Sequence, residues 1–310
     1  MKKILFATIL LFVSIYVSAQ KEINQYSPEN VFEKGVLLFE NKHYASALEC
    51  FEQYLSSVDN ENRGNVVMAK YYAAASTLLL EDSDGENKIT TFIKENPTCI
   101  TINHAKLLYA NHLFKARKYR DALKTYNSIN SNNLTKDEQD ECNFKKAYCY
   151  YQTQDISKAT QLFKELTNIQ NNYRDDARYY YAHILYINGK EDEALEYFNT
   201  LKGSNKYKDI ANIYILQINF NKGNFANVIE NGDKILQKAH KNRKSDIALM
   251  IAESWQQQGD YSKSLEYYNI ALQNSRRKLP RGVYRLRAAV CAGDWFSGIQ
   301  AAAQVPCPPC

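Results

Sequence analysis

Asp176-Ala-Arg-Tyr-Tyr-Tyr-Ala-His-Ile-Leu-Tyr186, then Asn188-Gly189, then Glu193-Ala-Leu-Glu-Tyr-Phe-Asn-Thr-Leu201 is the stretch that decides the fold. In its second half Ala194, Leu195, Phe198 and Leu201 fall at i, i+1, i+4 and i+7, one face of a helix. Asn188-Gly189 is a helix-stop and turn signal. Two helical runs joined by so short a turn form a helical hairpin. Gly223-Asn224 and Gly259-Asp260 stand at the same place in two later stretches.

The hairpin recurs along the chain. A large residue, a small residue three later and an aromatic four beyond that appear as Tyr44–Ala47–Phe51, Tyr119–Ala122–Tyr126, Ile156–Ala159–Phe163 and Tyr261–Ser264–Tyr268. Taking the small residue as anchor gives Ala47, Lys88, Ala122, Ala159, Ala194, Val228, Ser264 and Gly298, a period of 34 to 41 residues. A period in this range means a stacked array whose product is a surface rather than a reactive pocket. Three of the eight repeats are degenerate. Repeat 2 has Lys88 instead of a small anchor. Repeat 6 has Leu216 and Asn219 in its first helix and Gly232 where the aromatic belongs. Repeat 8 has a short first helix.

These residues resemble the tetratricopeptide repeat. That pattern has a small residue in helix A, a large one three later, an aromatic at the turn, a small residue early in helix B and an aromatic four beyond. Here it is met by Gly35, Leu38, Tyr44, Ala47 and Phe51 in repeat 1, and by Ala110, Leu113, Tyr119, Ala122 and Tyr126 in repeat 3. Ala147, Tyr150, Ile156, Ala159 and Phe163 meet it in repeat 4, and Ala252, Trp255, Tyr261, Ser264 and Tyr268 in repeat 7. Small residues let two helices approach, and the aromatics fill the space between repeats. The resemblance implies an all-α, right-handed superhelical solenoid of stacked antiparallel helix pairs.

The organisation expected is a signal peptide over 1–19, a lead-in over 20–28, about eight hairpins over 29–305 and an irregular tail over 306–310. Met1-Lys2-Lys3, the apolar run Ile4–Val17 and Val17-Ser18-Ala19 form a charged start, a hydrophobic core and a small-residue cleavage site before Gln20. The style is bacterial, which points to the periplasm, with the extracellular side as the alternative. The net charge of +5 includes Lys2 and Lys3, so the remainder is nearly balanced and no nucleic-acid partner is indicated. No polar capping helix follows repeat 8, so a truncated or altered C-terminus is one expectation.

Seven cysteines form no disulfide framework. Cys142 and Cys149 lie seven residues apart on one helix, too far to bridge, and Cys307-Pro-Pro-Cys310 lacks the strand–helix context of a redox pair. Phosphate loops, nucleophile elbows and zinc-binding His-Glu-x-x-His motifs are absent from the sequence. Asp82-Ser-Asp84-Gly85-Glu86 lacks calcium-loop spacing and is read as a turn. No enzyme, cofactor or metal is therefore expected, and the partner expected is a protein or peptide.

By the resemblance, helix A lines a concave binding face. The residues this places there are Asn111, Phe114, Tyr148, Tyr151, Tyr179, His183, Tyr186, Gln217 and Phe220, with Phe144, Ile213, Leu249, Glu253 and Gln256 also assigned by register. Aromatic rings with amides suit a binding surface. The function expected is a scaffold or adaptor in the bacterial cell envelope. The alternatives are an accessory subunit of an outer-membrane assembly or secretion machine, or the N-terminal part of a protein with a catalytic or sensor domain beyond Cys310.

Overall fold

The computed structural model describes residues 27–58 and 63–274, with backbone alone at 63 and 64. The expected leader, the eighth repeat and the tail lie outside these residues. The described residues form fourteen α-helices and no strand. None of these helices is long and apolar enough to cross a membrane.

The chain divides into two compact units, Met1–Ala159 and Thr160–Cys310. The first holds α1 (Pro28–Glu40), α2 (Tyr44–Ser57), α3 (Arg63–Leu79), α4 (Gly85–Glu95), α5 (Ile102–Lys115), α6 (Tyr119–Asn127) and α7 (Lys136–Gln152). The boundary falls within α8 (Ile156–Leu166). The second holds α9 (Arg174–Ile187), α10 (Glu191–Thr200), α11 (Lys208–Asn221), α12 (Phe225–Lys238), α13 (Lys241–Gln257) and α14 (Tyr261–Asn274). Odd-numbered helices are the A helices of seven hairpins, and even-numbered ones the B helices. Each A helix in the first unit also touches the next, α1 on α3, α3 on α5 and α5 on α7, as α11 touches α13 in the second.

The helix starts follow their sequence. Ser27 caps α1, its Oγ accepting from the Asn30 amide at 3.2 Å, and Pro28 takes the first position, where no donor is needed. Thr135 and Glu138 form a reciprocal capping box at the start of α7. Burial pushes the Glu138 carboxyl up, but bonds from Thr135 and the neighbouring His104 outweigh it and hold it below the usual carboxylate range.

The helix stops are more uniform than the sequence pattern suggests. All seven A–B turns contain one residue with positive φ: Lys42, Glu81, Arg117, Gln154, Gly189, Gly223 and Gly259. Each turn repeats one pair of hydrogen bonds. Lys42 N–H donates to Phe39 O and His43 N–H to Leu38 O, and Gly189 N–H donates to Tyr186 O and Lys190 N–H to Leu185 O. This is the Schellman termination, which satisfies the last carbonyls of helix A. Asn188-Gly189 was legible as such a stop; the four non-glycine turns were not. A left-handed residue with a Cβ carries a strain of roughly 1 kcal/mol, so we expect Gly189→Ala to lower stability by about that much. No atom lies within 4 Å of the added Cβ, so the loss is backbone strain alone. Arg117→Gly should cost nothing or raise stability by up to about 1 kcal/mol, less what glycine gains in unfolded-state entropy. Paired urea titrations check both, and a stabilised Gly189→Ala would contradict the assigned turn.

The core of each unit is built from small residues and rings. Ala47, Ala122, Ala159, Ala194, Val228 and Ser264 are fully buried, each the fourth residue of its B helix. Repeat 2 requires a correction. Lys88 is exposed, and the close approach is made instead by Gly85, where an added Cβ would stand 2.7 Å from Leu78 Cα. Gly85, Ile89 and Phe92 match Ala47, Phe51 and Tyr54 in spacing, and all but Gly85 pack in buried clusters. The anchor-to-anchor steps around repeat 2 thus become 38 and 37 residues, from Ala47 to Gly85 and from Gly85 to Ala122. One residue is missing after the Glu81 turn, and this concealed the register.

Repeat 6 is filled differently from the others. Leu216 is buried at the small position of helix A, and Gly232 takes the ring position of helix B. Ile251, from α13, fills the space against Gly232, where an added Cβ would meet its Cγ1 at 2.6 Å. Leu216 and Ile251 belong to one buried cluster.

Candidate functional site

In the first unit the A helices α3, α5 and α7 enclose an open cleft of about 440 Å³. Leu78, Leu79 and Leu108 supply an aliphatic wall, and Phe114 a ring. Glu81, Lys115 and Lys145 bring charge of both signs. Asn111 lines it too. Its Oδ1 accepts from Tyr126 Oη at 2.7 Å and from Lys145 Nζ at 3.1 Å, while its Nδ2 donates to Glu141 Oε1 at 3.3 Å. Lys145 also donates to Glu141 at 2.6 Å and stands 5.5 Å from the Phe114 centroid, within cation–π range. The amide is thus fixed in orientation and the lysine aimed, both before any partner arrives.

A smaller hollow adjoins the cleft, lined among others by Glu81, Glu86, His112 and Lys115. Lys115 donates to Glu81, and this bond, then the lysine charge, holds that carboxyl below its usual range. Burial pushes the Glu86 carboxyl up, but bonds from Tyr109 and Lys118 outweigh it and the net shift is downward. Both acids are therefore charged near neutral pH, and the rim alternates in sign.

Asn111 and Phe114, assigned to this face by register, both line the cleft. Tyr148 is one ring away. It packs on Phe114 at 5.3 Å and on Tyr119 at 5.7 Å, so it braces the Phe114 wall. Tyr151 is half-buried in the last turn of α7, where its carbonyl accepts from the Gln154 amide. Phe144 is buried, a correction to its assignment by register. It lies three residues before Ala147, as Leu107 lies before Ala110, and both of these positions turn into the core. Lys145 was missed. Its signal was the Glu141–Lys145 i, i+4 pair beside an already assigned position.

In the second unit Tyr179, His183 and Tyr186 converge on one ring, Tyr214 of α11, which the sequence reading also missed. Their centroids lie 6.5, 5.7 and 5.2 Å from it, and Phe198 stacks on it at 4.7 Å and 5°. Burial pushes the Tyr214 hydroxyl up and the His183 imidazole down, so His183 is neutral at pH 7. The three assigned residues are half-buried and serve as joints between hairpins as well as surface. Gln217 donates to Asn221 at 2.9 Å, and Phe220 packs edge-on against Phe225 at 6.0 Å.

The Phe198–Tyr214 stack is one of a series. Phe51 stacks on Tyr72 at 5.0 Å and Phe163 on Tyr180 at 5.3 Å. In each, the B-helix ring meets a residue two before the small position of the next A helix. Leu108 and Lys145 hold that register in the cleft, where no second ring is present to stack. Small A-helix residue, left-handed turn seven later, small B-helix residue twelve later and ring sixteen later recur together in repeats 1, 3, 4, 5 and 7. The hairpins are of the tetratricopeptide type.

No protein-family profile and no curated protein matches the chain. Solved structures of similar shape include a tetratricopeptide repeat protein from Parabacteroides merdae, 16% identical with a TM-score of 0.48, covering 86% of this chain and 98% of that one. The C-terminal part of a TPR repeat-containing protein from Cytophaga hutchinsonii is 14% identical with a TM-score of 0.48, covering 87% and 98%. YrrB, a TPR protein with an unusual peptide-binding site, is 14% identical with a TM-score of 0.45, covering 69% and 97%.

Cys142 and Cys149, the buried thiols of α7, are pushed up by burial to about 11 and about 12, so they stay protonated and behave as small apolar residues.

Proposed function

We propose that this protein is a non-enzymatic scaffold that captures a segment or surface of a partner protein on the A-helix face of its first unit. The observation that carries the reading is the cleft around Asn111. It combines aliphatic wall, ring, preset amide and charges of both signs in a volume within the range of roughly 300–1,000 Å³ usual for ligand sites. A partner that places one apolar side chain against Leu108 and Phe114, with an acidic group beside Lys115 or Lys145, would satisfy every element of it. Rings and cations at the centre of an interface carry most of its energy.

The place of action we propose is the bacterial cell envelope, reached by export. The support is the charged start, apolar run and small-residue site of Met1–Ala19.

Lys115 tests the reading because its side chain is exposed and buries nothing of the core. With wild-type protein as bait in an envelope extract, Lys115→Glu should reduce capture of the main partner by about tenfold, or about 1.4 kcal/mol, with the helical signal unchanged. Equal capture by both proteins would remove the cleft from the account.

A further inference from the structure

A second concavity, of about 450 Å³, lies in the second unit on a different kind of surface. It sits over α11, between the B helices α10 and α12, and falls in the hairpin where the repeat pattern breaks at Leu216 and Gly232. Ile213 and Ile235 belong to its aliphatic floor. Its walls are rich in primary amides. Asn219 and Asn231 are tied to the backbone, donating to Ile215 O at 2.8 Å and Asn227 O at 3.1 Å. The side-chain amides of Asn199, Asn212 and Asn227 have no hydrogen-bond partner among the described residues, although all three line the pocket.

A primary amide offers both a carbonyl acceptor and N–H donors, so it pairs with a peptide group in either direction. The N–H and C=O groups of an extended segment need such partners when they leave water. The charge of the lining is one-sided: Lys202, Lys234 and Lys238 face only Asp209. No aromatic ring lines the pocket, so it has no platform for stacking a nucleobase or a sugar. An aliphatic floor, free amides and a lysine rim together match one chemistry.

We propose that this pocket binds an extended acidic peptide segment, with Asn199, Asn212 and Asn227 holding its backbone, Lys202, Lys234 and Lys238 its carboxylates, and Ile213 and Ile235 an aliphatic side chain between them. Alternation of acidic and aliphatic residues suits it, because successive side chains of an extended chain point to opposite sides. This site is independent of the A-helix cleft.

The test is fluorescence anisotropy with the full chain and a fluorescein-labelled nonapeptide that alternates glutamate and valine. Wild-type protein should bind it saturably. The double variant Asn212→Ala/Asn227→Ala and the single variant Lys234→Glu should each weaken binding about tenfold, with helical circular dichroism unchanged. Lys124→Glu, exposed on α6 of the other unit, makes the same change in net charge and should bind as wild type. The peptide with lysine in place of glutamate should not bind. Absence of saturable binding, equal binding of the lysine peptide, unchanged affinity in the pocket variants, or an equal loss in Lys124→Glu would each overturn the proposal.

Discussion

Phe198→Ala is expected to lower the unfolding free energy by about 3–5 kcal/mol, the range for deleting a fully buried ring. Phe198 has no solvent exposure, and its ring lies parallel to that of Tyr214. Deleting it removes the contact area of the ring and leaves a cavity that α10 and α11 can only partly close. The loss should spread to the sequence-assigned surface. Tyr179, His183 and Tyr186 all lean on Tyr214, and Tyr214 would lose the partner on its other face. Phe198→Leu, which keeps most of the volume but not the stack, should cost less than half as much, on the order of 1–1.5 kcal/mol. Urea denaturation followed by helical circular dichroism distinguishes the two. A cost under about 1 kcal/mol for Phe198→Ala would show that the rings are not a structural joint.

Gly85→Ala is the second large effect, expected to cost about 2 kcal/mol in the first unit. The added Cβ would stand 2.7 Å from Leu78 Cα and 3.0 Å from both Leu78 N and Thr77 O. All three are backbone atoms, so no rotamer change relieves the clash and α4 must move away from α3. Lys88→Ala is the companion variant. Lys88 is exposed, and its replacement should stay within about 0.5 kcal/mol of wild type. The pair decides where the anchor of repeat 2 lies. If Lys88→Ala were the costly change and Gly85→Ala the neutral one, the register drawn here for α4 would be wrong.

Much of the architecture is legible in the sequence because each hairpin carries its own signals. Ala47, Ala122, Ala159, Ala194, Val228 and Ser264 mark the B helices, and Gly189, Gly223 and Gly259 mark the turns. The misplaced anchor of repeat 2 has a local cause. A turn shortened by one residue shifts the count, and Gly85 was absorbed into an acidic loop signal. The turn residues Lys42, Glu81, Arg117 and Gln154 gave no sign of their left-handed backbone, since the repeated hydrogen bonds around them, not their side chains, impose it.

The site was legible only in part, for a physical reason. Position on an A helix follows from the period, so Asn111 and Phe114 could be placed on the cleft face. Contact between repeats depends on which residue of one hairpin meets which residue of the next. That is why Lys145, whose ammonium reaches Asn111 from thirty-four residues away, and Tyr214, on which three assigned residues converge, were not found. The asparagine-lined pocket was missed for a different reason. It lies between B helices, and of its lining residues the register marked Ile213 alone.

Site-specific photo-crosslinking tests the central claim most directly. A photoreactive residue at His112, in the wall of the cleft, should give a crosslinked adduct to the partner in an envelope extract, and the adduct should fade in the Lys115→Glu background. The same probe at Lys124, exposed on α6, should give none. A strong adduct from Lys124 and none from His112 would contradict capture on the A-helix face.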